Sequence, residues 1–217
     1  MRFLRRRRAV LAVCGLLAIG LATFGLRMLY PWPPADGSAE AGFARDMQAH
    51  HAQAVQMALI VRDRTEDQEV RTLAYDIATT QQHQIGQMYA WLQMWGLSQA
   101  SLRAQMAWMG ADHTGMAGMT ETGQGTGSMP GMATPAQIEE LEQASGKDAE
   151  ILFLRLMIKH HQGGAEMASA ALRLSDQPQV SQLAEAIVTS QRAETDLMRR
   201  MLTARGADPS SQAGSRQ

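Results

Sequence analysis

Cysteine is nearly absent from this chain, with one residue, Cys14, in 217. A single thiol forms no intramolecular disulfide, and Cys-rich zinc sites are excluded. Aromatic residues make up only 5% of the chain, and positive charge is not in excess: 20 Lys+Arg stand against 21 Asp+Glu, a formal net charge of −1. Recognition of nucleic acid therefore has no electrostatic basis. A metalloprotease helix motif, a serine nucleophile elbow and a phosphate-binding loop are missing as well. Methionine, by contrast, is plentiful at 16 residues, more than core filling in a chain this short usually needs.

The charge balance conceals a segregated block. Residues 1–30 hold six arginines (Arg2, Arg5, Arg6, Arg7, Arg8 and Arg27) and no acid, which leaves 14 Lys+Arg against 21 Asp+Glu in residues 31–217, a net of −7. Eighteen apolar or small residues follow the cluster, from Ala9 to Leu26. That length is the lower limit for a membrane-spanning helix and long for a signal-peptide core. The arginines hold the N-terminus inside. Residues 1–30 are thus expected to form a cytoplasmic stub and a single-pass anchor in the inner membrane, with the bulk of the chain periplasmic or otherwise extracytoplasmic. Tyr30 and Trp32 suit the outer headgroup region, and Pro31, Pro33 and Pro34 end the helix. Ala39-Glu40-Ala41 has the form of a cleavage site but lies well past the apolar run; cleavage there would yield a secreted form. Cys14 reads as one more apolar residue of the helix.

The exported part contains an internal repeat. Phe43-Ala-Arg45-Asp-Met47-Gln-Ala-His50-His51 is echoed by Phe153-Leu-Arg155-Leu-Met157-Ile-Lys-His160-His161, an offset of 110. Held without gaps, that offset aligns residues 43–96 with 153–206 and gives 16 identities in 54 positions, among them Met57/Met167, Gln81/Gln191, Met88/Met198 and Gly96/Gly206. Each copy reads as a helical hairpin. Helices are expected over about Glu40–Arg62 and Asp67–Trp95, and again over about Asp148–Leu174 and Pro178–Ala204, with Gly96 and Gly206 as C-terminal caps. Leu73, Ile77, Gln81, Ile85, Met88 and Leu92 recur at the spacing of an amphipathic helix. Two hairpins side by side make an all-α four-helix bundle spanning residues 43–206, after a linker at 31–42 and before a disordered tail at 207–217. A short helix at Thr134–Ala144 carries a capping box from Thr134 to Gln137.

Between the hairpins, residues 106–133 form a Gly/Met-rich linker. Its Gly110–Gly131 portion is too rich in glycine to form a core element. It carries His113, Met116, Met119 and Met129, with Met106, Met109 and Met132 beside it, and packing explains these methionines poorly.

Histidine and methionine together carry the chemistry. On a helix at about 100° per residue, Met47, His50 and Met57 share a stripe and His51 lies on its other edge. Met157, His160, His161 and Met167 repeat the arrangement. A Met stripe at helical spacing is ordinarily core, but two His-His pairs at equivalent positions, each flanked by Met, point to a metal site that uses at least one His of each pair. Thioether sulfur favours Cu(I) and imidazole suits copper, zinc, iron and nickel, so the mixed donor set points to copper, Cu(I) in particular. A ferritin-type di-iron centre is disfavoured, because it needs Glu-x-x-His pairs and no histidine here has a glutamate three positions before it. Met116, Met119 and His113 are weaker candidates that would capture the ion loosely. His83 has no counterpart in the second copy and reads as a surface or packed histidine. Trp91, Trp95 and Trp108 belong either to the core or to a patch for a partner or membrane.

The segment GMATPAQIEELEQASGKDAEILFLRLMIKHHQGGAEMA resembles the signature of an exported bacterial family, domain-of-unknown-function family 305. The likeness covers about Phe43 to Gly206, and the double His-His pattern is specific to it. It implies a ferritin-like fold and, from some members, copper binding or copper tolerance, with no enzymatic activity securely attached. His50, His51, His160, His161, Met47, Met57, Met157 and Met167 match the motif. The family's Gln-x-x-Glu is kept at Gln191–Glu194, but Gln84 replaces the acid in the first copy, which makes the two halves chemically unequal.

Three functions are compatible with these residues: a membrane-anchored copper buffer or relay, a metal-dependent oxidoreductase, and a structural or interaction bundle without metal. The first is preferred, and enzymatic activity is the less favoured outcome. A protein partner for a relay remains unidentified.

Overall fold

The computed structural model describes residues 15–22, 25, 33–110 and 129–208. The chain divides into two units, Met1–Pro34 and Ala35–Gln217. In the first unit, residues 15–22 are helical; the rest of the expected membrane anchor lies almost wholly outside the described residues. Among the described residues no helix is long and apolar enough to cross a membrane. His113, Met116, Met119 and most of the expected tail also lie outside them.

The second unit is all-helical. Its elements are α1 (Ala39–Arg62), α2 (Gln68–Met94), a 3-10 turn (Ala107–Met109), α3 (Pro135–Gln143), α4 (Gly146–Leu174) and α5 (Pro178–Ala204). The ends follow from local chemistry. The Ser38 and Asp67 side chains accept backbone N–H groups at the starts of α1 and α2, satisfying donors that have no partner within the helix. At α3, Thr134 and Gln137 close a reciprocal capping box behind Pro135. Gly96 and Gly206 sit just past α2 and α5 at φ of +70° and +71°, where a residue with a Cβ is strained. Shifted by the repeat offset of 110, the bounds of α5 coincide with those of α2.

α1 packs along α2, α4 along α5, and the two hairpins meet where α1 crosses α4. Two apolar clusters flank that crossing. One joins Met57, Ala58 and Val61 of α1 to Phe153, Leu154 and Met157 of α4. The other joins Phe43, Ala44 and Met47 to Met167, Ala168 and Ala171. The N-terminal half of α1 therefore lies against the C-terminal half of α4. Each fully buried Met, Leu or Phe contributes about 1.5–3 kcal/mol.

The described ends of the Gly/Met-rich linker enter the core, contrary to expectation for Met129. Met109 and Met129 are buried, and Met106, Met132 and Trp108 pack against the same cluster. What anchors them is polar. The Asp46 carboxylate on α1 accepts both the Met106 N–H (2.8 Å) and the Trp108 indole N–H (2.9 Å), and Trp108 then meets Phe43 edge to face at 5.9 Å. Burial raises the Asp46 pKa, while those two hydrogen bonds and Arg45 oppose the shift. Trp91 and Trp95 stack at 6.1 Å beside the same cluster, so all three tryptophans serve the bundle end.

At the other end, Glu150 of α4 ties three segments together. It accepts from Thr65 Oγ1 (2.6 Å) in the first hairpin's turn and from Arg205 Nε (2.7 Å) after α5, and Arg205 also reaches Asp67 at 3.0 Å. Replacing Glu150 by Ala leaves the Thr65 O–H without its acceptor, although its oxygen still accepts from the Asp67 N–H, and strips one partner from a mostly buried guanidinium. Urea unfolding of the variant is expected to show a loss of about 2 kcal/mol, less than for a fully orphaned charge because Asp67 remains.

Candidate metal centre

The four histidines of the two pairs form a layer between the apolar clusters, and each is fully buried. His50 of α1 and His160 of α4 face each other at the helix crossing, with ring centroids 3.8 Å apart and planes tilted by 35°. His51 and His161 lie outward of them, each 6.4 Å from its chain neighbour. The helical offset of adjacent residues thus sends one histidine of each pair to the crossing and the other toward its own hairpin partner.

Three of the rings are fixed by one hydrogen bond each. The His51 Nε2–H donates to Gln84 Oε1 of α2 (2.7 Å), and the His161 Nε2–H donates to Glu194 Oε2 of α5 (2.6 Å). These are equivalent positions of the repeat, with an amide in one half and a carboxylate in the other. His50 Nε2 lies 3.0 Å from the carbonyl oxygen of Pro130, which can only accept, so Nε2 carries the proton. With Nε2 as donor, neutral imidazole leaves its Nδ1 lone pair free. The Nδ1 atoms of all four histidines, and Nε2 of His160, are buried without a well-formed hydrogen bond among the described residues, although the His160 ring lies near enough to the His50 backbone to feel it.

Burial also keeps three of the rings neutral, those of His50, His51 and His160. Desolvation lowers the pKa of His50 to about 4 and of His51 to about 3, and that of His160 well below its usual value, with repulsion from neighbouring histidines adding to the effect on each. Neutral imidazole is the form that ligates metal.

A strap that breaks the twofold likeness of the hairpins covers the His50–His160 pair. Residues 129–133 run across α4, and three contacts hold them there. The Gln53 side chain donates to Ala133 O (2.9 Å) and accepts from Ala133 N (2.7 Å). Gly131 has φ of +76° and presses on α4, where a Cβ would stand 2.2 Å from Lys159 O; a Cβ on Gly163 would stand 2.0 Å from Pro130 O. Glycine at both positions is what lets the strap reach His50.

The methionines are placed differently from the histidines. Met47 and Met167 belong to one apolar cluster and Met57 and Met157 to the other, all fully buried. Along α1, Met47 and Met57 are about 15 Å apart at 1.5 Å per residue. The sequence-predicted set is therefore brought together at its histidines and split at its sulfurs. Among the described residues, no group of three or more His, Cys, Asp or Glu side chains is arranged to hold a metal ion. A site built here would need thioether, amide or backbone oxygen donors as well. His83 is exposed, 3.2 Å from Gln87, and takes no part.

The family described as Domain of unknown function (DUF305) matches residues 40–202. The chain belongs to this family. It is 44% identical to a DUF305 protein of Streptomyces coelicolor taken to be secreted, covering 83% of this chain and 99% of that one with a TM-score of 0.73. A DUF305 fragment from Deinococcus radiodurans is 34% identical over 76% of this chain and 96% of that one, TM-score 0.60. CopM in its Cu(II)-bound form is 28% identical over 77% and 97%, TM-score 0.57. No curated protein sequence matches significantly.

Pro130, Gln53, Gly163 and the roles of Gln84 and Glu194 were not assigned from sequence. Only the last two carried a signal, since the repeat offset pairs them with each other and each lies 33 residues after a histidine it holds.

Two outcomes follow. His50 and His51 have folded-state pKa values below the unfolded 6.5, so their contribution to stability is full above about pH 6.5 and is lost as pH falls toward 4 and then 3. Denaturation midpoints of the metal-free protein should drop through that window, and a His51→Gln variant should flatten the slope. Gly163→Ala forces the strap off α4 and should lower stability by about 1–3 kcal/mol in urea titrations.

Proposed function

We propose that the chain is an exported copper-binding protein that takes up the ion reversibly, as a buffer or relay, through imidazole and thioether donors around the crossing of α1 and α4. One observation carries this reading: a fully buried layer of four histidines whose Nδ1 atoms have no hydrogen-bond partner among the described residues. An unsatisfied buried polar atom costs about 1–3 kcal/mol, and ligation removes that penalty. The Nε2 bonds of His51 to Gln84 and of His161 to Glu194 resemble the outer contacts that orient metal-bound histidines and fix their tautomer.

His50, His51, His160 and His161 supply the nitrogen donors of the proposal. Met47 lies one helical turn before His50 and His51, with Met167 in the same cluster; Met157 stands in the same relation to His160 and His161, with Met57 in its cluster. Sulfur beside imidazole selects Cu(I) over harder ions. The likeness to CopM, which has been solved with Cu(II) bound, supports copper as the ion.

Export is supported by the Arg-rich start, the apolar run from Ala9 to Leu26 and the secreted character attributed to the S. coelicolor relative. In this reading residues 1–30 anchor the binding unit to the membrane.

Titration of residues 35–217 with Cu(I) against a competing chelator tests the proposal. Stoichiometric binding is expected for the wild type, weakened at least about tenfold by His50→Ala and by His160→Ala. Binding that is absent, or that survives both substitutions unchanged, would falsify it.

A further inference from the structure

The two hairpins differ in how their outer histidines meet the solvent. His51 is bonded to Gln84, which is buried. The partner of His161 is Glu194, whose side chain is 24% exposed. Beside it a cleft of about 440 Å³ opens between α4 and α5, and His161 forms part of its wall. Gln191 forms another part. It is 3% exposed, yet neither Oε1 nor Nε2 of its amide has a hydrogen-bond partner among the described residues. On α5, Gln191 lies one turn before Glu194. Its amide rests on Gly164 of α4, one turn after His161, where a Cβ would stand 2.5 Å from Oε1. The first hairpin carries that Cβ, because the residue equivalent to Gly164 is the buried Ala54. Of Gln81, the equivalent of Gln191, only Oε1 is a buried atom without a hydrogen-bond partner among the described residues.

A buried amide with both ends unsatisfied, one helical turn from an unsatisfied ring nitrogen in a wall open to solvent, is a poor core feature and a good receiving group for a cation. Charge around the cleft agrees. Glu166 and Asp196 offset Arg192 and Arg199 on the rim, Arg199 is already paired with Asp196 at 3.1 Å, and Glu194 adds one negative charge behind His161.

We propose that the α4–α5 cleft is the port through which the metal ion enters and leaves, and that Gln191 Oε1 is the buried donor it meets inside the rim, before His161 Nδ1. This rests on the copper reading above and extends it: entry is one-sided although the repeat is twofold. An amide oxygen binds copper more weakly than imidazole or thioether, which suits a donor that must release its ion inward. Gln191 then governs the rate of exchange and little of the final affinity.

The test uses the full-length chain loaded with Cu(I), followed by stopped-flow transfer of the ion to a chromophoric chelator. Gln191→Leu, close in volume and without the amide, is expected to slow transfer about tenfold or more while leaving the equilibrium stoichiometry unchanged. Gly164→Ala, which pushes the amide aside, should slow it in the same sense, and it carries the test alone if Gln191→Leu loses helicity. Gln81→Leu should exchange at the wild-type rate. Wild-type rates in both cleft variants, or equal slowing by Gln81→Leu, overturn the port while leaving the copper reading intact. Failure of the wild-type chain to bind Cu(I) at all removes both.

Discussion

Everything in this bundle is arranged around a contact that apolar packing alone would not choose: two neutral imidazoles, His50 and His160, with ring centroids 3.8 Å apart in a fully buried layer. Burying them is tolerable only because their surroundings suppress charge. Desolvation holds His50, His51 and His160 unprotonated, so the layer avoids the mutual repulsion of buried cations. The helices on either side then close over it with methionine, phenylalanine and alanine, and the hairpins meet at this layer.

The second hydrogen-bonding ring atom is where the layer departs from ordinary core design. Native interiors satisfy nearly every buried polar atom, and here one nitrogen of each histidine is satisfied with care, by an amide, a carboxylate or a strap carbonyl, except in His160. The opposite nitrogen is left over in every case. Above and below the layer lie the flexible thioethers of Met47, Met57, Met157 and Met167, packed in the two apolar clusters.

Most of the fold was legible before any coordinates. The repeat offset of 110 predicted two hairpins, and capping residues such as Thr134, Pro178, Gly96 and Gly206 located their ends to within a few residues, because these signals act over three or four positions of chain. The histidine pairs were legible for the same reason: the repeat printed them twice. What escaped was everything that depends on non-local contact. Glycine content marked residues 110–131 as coreless, yet Met129 is buried and Pro130 caps His50, since the glycines at 131 and 163 exist to let two backbones approach. The methionines shared a stripe on the helical wheel, but a wheel discards the rise along the axis that separates Met47 from Met57. Half of the N-terminal apolar run falls outside the described residues.

The crossing of α1 and α4 also bears on how the chain assembles. One hairpin alone would present its histidine edge and half of each methionine cluster to water, so neither copy has a complete core of its own. Joined in one chain, the second copy is always present at a high effective concentration, and the loss of translational freedom that two separate hairpins would suffer on pairing is avoided. The tether does more than join them, because residues 106–109 and 129–133 are laid against the seam as the Trp108 turn and the strap. A connection that began as a matter of chain entropy has become the lock on the interface.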